Sequence, residues 1–115
     1  VVMGSNSAAA GNNAVAIGSN VISSGENSIG LGNEVTVGNG TPLTGFGDGS
    51  MGIGLTDAAI ATNPQVRGDR SLGIFMGDQN AVQMTANNTM GLFGGTMVID
   101  PRIPAQQLSA RSVLD

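Results

Sequence analysis

Several residue types are missing from this chain of 115 residues, and each absence narrows the chemistry open to it. Because Cys is absent, there is no disulfide framework, and the composition gives no indication of a redox compartment. His and Lys are absent as well, which removes the usual bases that activate a nucleophile in covalent catalysis. With no Trp or Tyr and only three Phe, the chain has few of the large side chains that fill an ordinary globular core.

Positive charge is also scarce. Four Arg stand against eight carboxylates, giving a formal net charge of -4, so no basic surface is available to neutralise phosphates. Nucleic acid is therefore excluded as a partner. No apolar run reaches the roughly 18 residues of a membrane span, and no charged segment precedes an apolar stretch, so we expect neither membrane insertion nor a signal peptide.

Glycine, by contrast, is abundant, with 19 residues in the chain. Together with the many Ser and Asn, this composition resembles that of disordered tracts, but Val, Ile, Leu and Met recur at regular intervals, which disordered tracts lack. The regular recurrence predicts an ordered repeat. The first repeat is already under way at Val1, so we expect the sequence to be a fragment of a longer protein.

The repeat has a period of seven residues over the first third of the chain. Each Gly is followed two residues later by Asn, except that Glu34 takes the fifth Asn position. Gly supplies the positive φ of a tight turn, and Asn tolerates left-handed geometry and stacks on equivalent Asn residues. A coiled coil is disfavoured, since Gly costs about 1 kcal/mol relative to Ala in a helix. The predicted turn positions are Gly4, Gly11, Gly18, Gly25, Gly32, Asn6, Asn13, Asn20 and Asn27.

Two seven-residue repeats combine into a fourteen-residue unit, and successive fourteen-residue units match each other better than successive seven-residue units do. Large and small residues alternate within the unit. This predicts a coil of two short strands and two turns, stacked in parallel on the next coil, with the large residues inward. The second face is apolar enough to require shielding from water, so we expect several chains to pack side by side. Its residues are Val2, Ala16, Val21, Ile22, Val35 and Val37. The predicted repeat core is Val1, Met3, Val15, Ile17, Ile29 and Leu31.

Beyond residue 40 the repeat lengthens. The segment 50–54 restates 28–32 with an inserted loop between them, and a related motif recurs at 71–77 and again at 89–94. Residues 96–99 are expected to form a last strand. The predicted parts are a β-roll of fourteen-residue repeats over 1–40, insertion and transition loops over 41–70, and a second β-rich fibre segment with a C-terminal connecting tail over 71–115.

Few residues suggest chemistry. Paired carboxylates can cleave a glycosidic bond, but the available aspartates are favoured as turn and loop residues. The glycine cluster at 45–50 matches neither a calcium loop nor a phosphate loop. We therefore predict no catalytic residue, no cofactor and no metal site. The aspartates concerned are Asp48, Asp57, Asp69 and Asp78.

Two further groups have open interpretations. Asp69 and Arg70, with Arg67, are expected either to form ion pairs between subunits or to lie in a solvated loop. Phe75 and Phe93 occupy comparable repeat positions and are predicted to fill the interior of the later coils.

The segments 13–18 and 27–32 closely resemble the fourteen-residue head repeats of trimeric autotransporter adhesins, repeats that also occur in bacteriophage tail fibres. Segments 76–79, 94–101 and 104–108 are similar to parts of phage tail-fibre-like proteins. The resemblance implies an all-β fold, a left-handed parallel β-roll or solenoid with three chains wound about one axis in a homotrimeric fibre, and a role in surface attachment.

On this interpretation the chain is not an enzyme but a structural and host-attachment segment of a trimeric viral tail fibre, located on the virion tail. Its expected partners are two further copies of itself, a host cell-surface glycan or protein, and other tail or fibre proteins. The 41–49 and 55–69 loops are expected to make the surface contacts, multiplied by threefold presentation. Two alternatives stay open: the head of a bacterial trimeric autotransporter adhesin on the cell surface, and a fragment of a polysaccharide-degrading tailspike.

Overall fold

A computed structural model describes residues 1–40 and 46–98 and shows an all-β parallel solenoid of about five turns. In these residues no helix has the length and hydropathy needed to cross a membrane. The strands are β1 Val2–Ser5, β2 Ala8–Ala9, β3 Val15–Ser23, β4 Ile29–Val37, β5 Met51–Leu55, β6 Gln65–Val66, β7 Leu72–Met76, β8 Gln83–Met84 and β9 Met90–Phe93.

The strands form two walls, and every pairing between coils is parallel. The first wall contains β1, the first halves of β3 and β4, then β5, β7 and β9. The second wall contains β2, the second halves of β3 and β4, then β6 and β8. We call the turn from first to second wall the first corner, and the turn onward to the next coil the second corner.

The register of paired residues follows the sequence repeats. Val2 pairs with Ala16, and Val15 with Ile29, in keeping with the fourteen-residue unit. Ile29 then pairs with Met51, and Leu72 with Met90, at the longer spacings of the later repeats, which confirms both predicted alignments. The parallel solenoid is thus confirmed at the level of strands and register.

The extra residues of the long coils lie in the corners. Residues 38–40 and 46–50 belong to an enlarged second corner of one coil, and 56–64 enlarge the first corner of the next. Strands β5 and β6 fall within the predicted transition of 41–70, and both pair with neighbouring coils, so one sheet runs through the predicted boundaries. The strand predicted at 96–99 is absent over 96–98; residue 99 and the predicted tail lie outside the described residues.

The interior of the coil is lined by small residues from the first wall and by valines from the second. A Cβ placed on Gly30 would lie 2.7 Å from Cγ1 of Val21, and one on Gly52 would lie 2.9 Å from Cγ2 of Val37. The walls are therefore too close for large side chains on both sides. The buried core consists of Ala16, Val21, Val35, Val37, Val66, Phe75 and Met84.

The prediction that the large repeat residues face the coil interior was therefore wrong for the single chain. Ile17 is 37% exposed and Ile29 38% exposed, whereas Ala16 between the two large columns is fully buried. Alternation separates two faces without indicating which is inward. The predicted core residues all lie on the outside: Val1, Met3, Ile17 and Ile29 are exposed, and Val15 and Leu31 are half-buried.

Glycines at the second corner allow the coils to approach each other. A Cβ on Gly11 would overlap the carbonyl oxygen of Gly25, and a Cβ on Gly25 would overlap that of Gly47. Gly18 at the first corner has a φ of 137° as well, so there the backbone conformation also favours glycine. At the second corner, coil spacing is thus the reason for the glycine repeat.

Phe75 changes the interior of the later coils. It occupies the register position of Gly54, is 1% exposed, and stacks on Phe93 with ring centroids 5.0 Å apart and planes inclined by 11°. Phe93, one coil further on, is half-buried. The prediction that these rings fill the interior is confirmed.

Replacing Phe75 by Ala is expected to lower the free energy of unfolding by about 3–5 kcal/mol, because it leaves a cavity in a close-packed interior. Phe93→Ala is the matched control, and a smaller loss is expected since that ring is already partly exposed. Denaturant unfolding followed by circular dichroism measures both values. Equal losses would contradict the assignment of Phe75 as the main interior ring.

Replacing Gly25 by Ala tests the spacing of the coils. Its new methyl group would overlap backbone atoms of the next coil, so we expect a loss of about 3 kcal/mol in unfolding free energy. Gly49→Ala is the control: its φ is 64°, but the nearest heavy atom to a Cβ is Cγ of Arg70 at 3.8 Å. It should cost only the left-handed penalty, about 1 kcal/mol. A more damaging Gly49→Ala would refute the spacing argument.

Candidate functional site

The outer surface of the first wall carries two continuous columns of large aliphatic side chains, which we call the apolar face. Register places the residues of each column directly above one another, and none of them is buried. Monomeric soluble proteins rarely expose large contiguous apolar surfaces. The columns are Val1, Val15, Ile29, Met51, Leu72 and Met90, and Met3, Ile17, Leu31, Ile53, Ile74 and Leu92.

This face exists because parallel strands in register stack the same repeat position at every coil. Adjacent strands lie about 4.8 Å apart, so each column forms a ladder of aliphatic side chains along the solenoid axis. A third outward column, nearer the first corner, is polar at Ser5, Ser19 and Asn33 and apolar at Leu55 and Met76. The apolar face is therefore wider in the later coils.

The two edges of the apolar face differ in their exposed charged residues. At the second corner, Arg70 borders an open groove of about 490 Å³ together with Met51, Leu72 and Met90. Its Nε donates a hydrogen bond of 2.9 Å to Oδ1 of Asn88. At the first corner, exposed carboxylates follow the ends of two first-wall strands, at Asp57 and Asp78.

The predicted Asn turn positions all have left-handed backbone geometry, with φ values of 55°, 56°, 58° and 53° in chain order. Their side chains form ladders between coils: Nδ2 of Asn6 donates to Oδ1 of Asn20 at 3.0 Å, and Nδ2 of Asn13 to Oδ1 of Asn27 at 3.2 Å. Glu34 continues the first ladder by accepting from Nδ2 of Asn20 at 2.7 Å. These side chains hold neighbouring coils together at the corners.

Asp48 and Asp69 belong to a similar column at the second corner. Oδ1 of Asp48 accepts from the backbone N–H of Glu26 at 2.9 Å, and Oδ1 of Asp69 accepts from the N–H of Asp48 at 3.1 Å. Asp78 accepts from the N–H of Asn80 at 3.2 Å, in a turn, and Asp57 lies in the 56–64 loop. Among the described residues, no three acidic, Cys or His side chains are grouped to hold a metal ion.

A column of buried hydroxyl groups was missed by the sequence interpretation. Oγ of Ser50 donates to the carbonyl oxygen of Gly68 at 2.8 Å and accepts from the N–H of Ser71 at 2.9 Å. Ser28 lies in the same column and is fully buried. The signal in the sequence was the small polar residue that immediately precedes Ile29, Met51 and Leu72.

Arg67 lies away from the apolar face, on the second wall. Its guanidinium stands over the ring of Phe46, 4.8 Å from the centroid, and Nη1 donates to Oε1 of Gln83 at 3.4 Å. Asp69 and Arg70 likewise have hydrogen-bond partners within the chain. Ion pairs between subunits stay a prediction for this group.

The apolar face is a feature of the described surface that packing within one chain does not account for. Contiguous exposed apolar surfaces of this kind commonly mark sites of interaction. Comparison of the chain with protein-family models, with curated proteins and with solved structures finds no match.

Proposed function

We propose that this chain is a structural segment of a homotrimeric fibre, in which three copies bury the apolar face against one another around a common axis. The coils would form a left-handed parallel β-roll, and the fibre would attach a virion tail to a host surface, as its repeats' resemblance to tail fibres and adhesins suggests. The observation that carries the proposal is the apolar face itself. No charged residue interrupts its two main columns from Val1 to Leu92.

The small interior of the single chain supports association. Over the described ranges, its largest fully buried side chains are mostly Val and Ser, with Phe75 the one aromatic among them. Apolar burial contributes about 25 cal/mol per Å², so an interior of this kind gives a modest driving force for folding. Burying the apolar face between copies would add a second, larger core, and association would then stabilise the folded chain by mass action.

The apolar face also changes the reason for expecting several chains to associate, because the sequence had pointed to a different face. Four of the six residues of the face that was predicted to require shielding from water, Ala16, Val21, Val35 and Val37, are buried inside the coil. Of the other two, Ile22 is half-buried and Val2 is exposed. The surface that requires shielding from water is therefore the outward side of the first wall. This exposed side supports the proposed association of several chains.

Attachment is the less direct part of the proposal, and it draws on the loops at the first corner. Residues 57–59 and 61–62 are exposed, whereas Ile60 and Pro64 of the same loop are buried, so the loop has a fixed base and an accessible outer edge. Three copies would present three identical loops, and weak contacts would gain strength through effective concentration. Of the loop predicted at 41–49, residues 41–45 lie outside the described residues.

Replacing Ile74 by Asp tests the assembly. The carboxylate would lie in the middle of the apolar face of each copy, where desolvation costs several kcal/mol, so the trimer is expected to dissociate. Light scattering should give three times the 11.4 kDa of the chain for the natural sequence and one third of that mass for the variant. Gln83→Asp, on the exposed second wall, is the control and should leave the mass unchanged. A monomeric natural chain would overturn the proposal.

Attachment is tested with fluorescently labelled chains on a panel of intact bacterial strains. The trimer is expected to bind at least one strain, with apparent affinity on the order of 100-fold above that of the Ile74→Asp variant, because avidity is lost with the trimer. Replacing the exposed Ala58 and Ala59 by Glu, with Asp57 kept, should abolish binding while the trimer mass is kept. If a trimer binds no strain and the loop variant changes nothing, the attachment part is wrong and the assembly part stands.

A further inference from the structure

We infer that the copies of this fibre meet by unlike edges, with Arg70 at the second-corner edge of one copy held between Asp57 and Asp78 at the first-corner edge of the next. The inference rests on the proposed trimer and adds the pairing that fixes which edges meet. The pairing would give these three residues a contact between chains, in addition to the hydrogen bonds that Arg70 and Asp78 make within their own chain.

The first step is the position of the charges at the edges. Arg70 comes directly before Ser71 and Leu72, where the chain enters the first wall, and it borders the groove beside that wall. Leu55 and Met76, the last residues of β5 and β7, are register partners, so Asp57 and Asp78 each lie two residues beyond the wall at its other edge. One edge of the apolar face thus carries one exposed cation, beside the half-buried Asp48 and Asp69, which accept hydrogen bonds from backbone N–H groups of their own chain. The other edge carries two exposed carboxylates.

The second step is their height along the solenoid. Asp57 belongs to the coil that starts with β5, Asp78 to the coil that starts with β7, and Arg70 lies at the corner between these coils. Rotation about a threefold axis parallel to the solenoid leaves every height unchanged. Since coils are about 4.8 Å apart, Arg70 of one copy then lies roughly half a coil from each carboxylate of its neighbour.

The third step is the capacity of the groups to bind. A guanidinium has five N–H donors in a planar fork, and the bond to Asn88 uses the Nε donor. Asp57 and Asp78 are exposed, so both carboxylates are accessible to a neighbouring chain. The fork of Arg70 therefore suits two carboxylates that stand one coil apart.

The pairing would govern orientation more than affinity. An exposed ion pair adds little binding energy. The apolar columns, however, present similar aliphatic side chains to a neighbour in either orientation, so they do not select one orientation. If copies packed antiparallel, like edges would face each other and Arg70 would approach a second Arg70. Opposite charge at unlike edges favours a parallel, ring-closing arrangement over that alternative.

The absence of Cys makes the arrangement testable by cross-linking. We would prepare the double variants Arg70→Cys with Asp57→Cys and Arg70→Cys with Asp78→Cys in the full chain, and measure their mass by light scattering before cross-linking. A short bis-maleimide is preferred to disulfide oxidation, because an arginine–carboxylate pair holds its Cα atoms farther apart than a disulfide allows. Within one chain the two edges are separated by a five-residue strand, roughly 16 Å, which the short reagent does not span.

A covalent trimer on a denaturing gel is expected for at least one double variant, with most of the protein in that band. The controls are Arg70→Cys alone and Arg70→Cys with Gln83→Cys, which should stay at the mass of one chain. A trimer in solution that gives no covalent trimer from either double variant would overturn the edge pairing and leave the proposed function in place. A covalent dimer would show twofold packing, and a monomer in solution would remove both proposals.

Discussion

The short distance between the two walls of the solenoid determines the rest of its structure. The valines of the second wall occupy the interior, so the first wall has Gly or Ala at most of its inward positions, as Gly52 against Val35 and Val37 shows. Phe75 and Phe93 take such inward positions in the later coils. The large aliphatic residues of each repeat are placed on the outside. A thin coil and an apolar outer face are consequences of the same constraint, which links the fold of one chain to the association that we propose.

The corners solve a different problem, because each backbone turn leaves polar groups that must be paired. At the second corner, Oδ1 of Asp48 and Oδ1 of Asp69 accept from backbone N–H groups, and at the first corner Oδ1 of Asn80 accepts from the N–H of Thr62. The Asn ladders join side chains of neighbouring coils, and Ser50 pairs backbone groups in the interior. Asp48 and Asp69, two of the four aspartates considered for chemistry, thus stabilise the stack. Arg70 lies at an edge of the apolar face, where the proposed trimer would bring it near another chain.

Much of the fold could be predicted from the sequence, because a parallel stack repeats its chemistry at each coil. The fourteen-residue period and the two longer spacings of the later repeats predicted the correct register, and Phe75 was correctly placed inside. The inward face could not be predicted, since alternation is symmetric and depends on which wall supplies the bulk. Here Val21, Val35 and Val37 supply it, which left Ile17 and Ile29 outside. The sequence therefore predicted the alternation of large and small residues on the first wall, but the inward and outward sides of that wall were assigned the wrong way round.

Coils of unequal length differ in their corners and not in their walls. The coil from Met51 to Ser71 is longer than the coil from Val15 to Ser28, yet each adds one strand to the first wall and one to the second. Both therefore lengthen a rod by the same strand spacing of about 4.8 Å. A solenoid built this way keeps a constant pitch while its corners gain or lose residues, so its loops are free to diversify without changing the length of the rod.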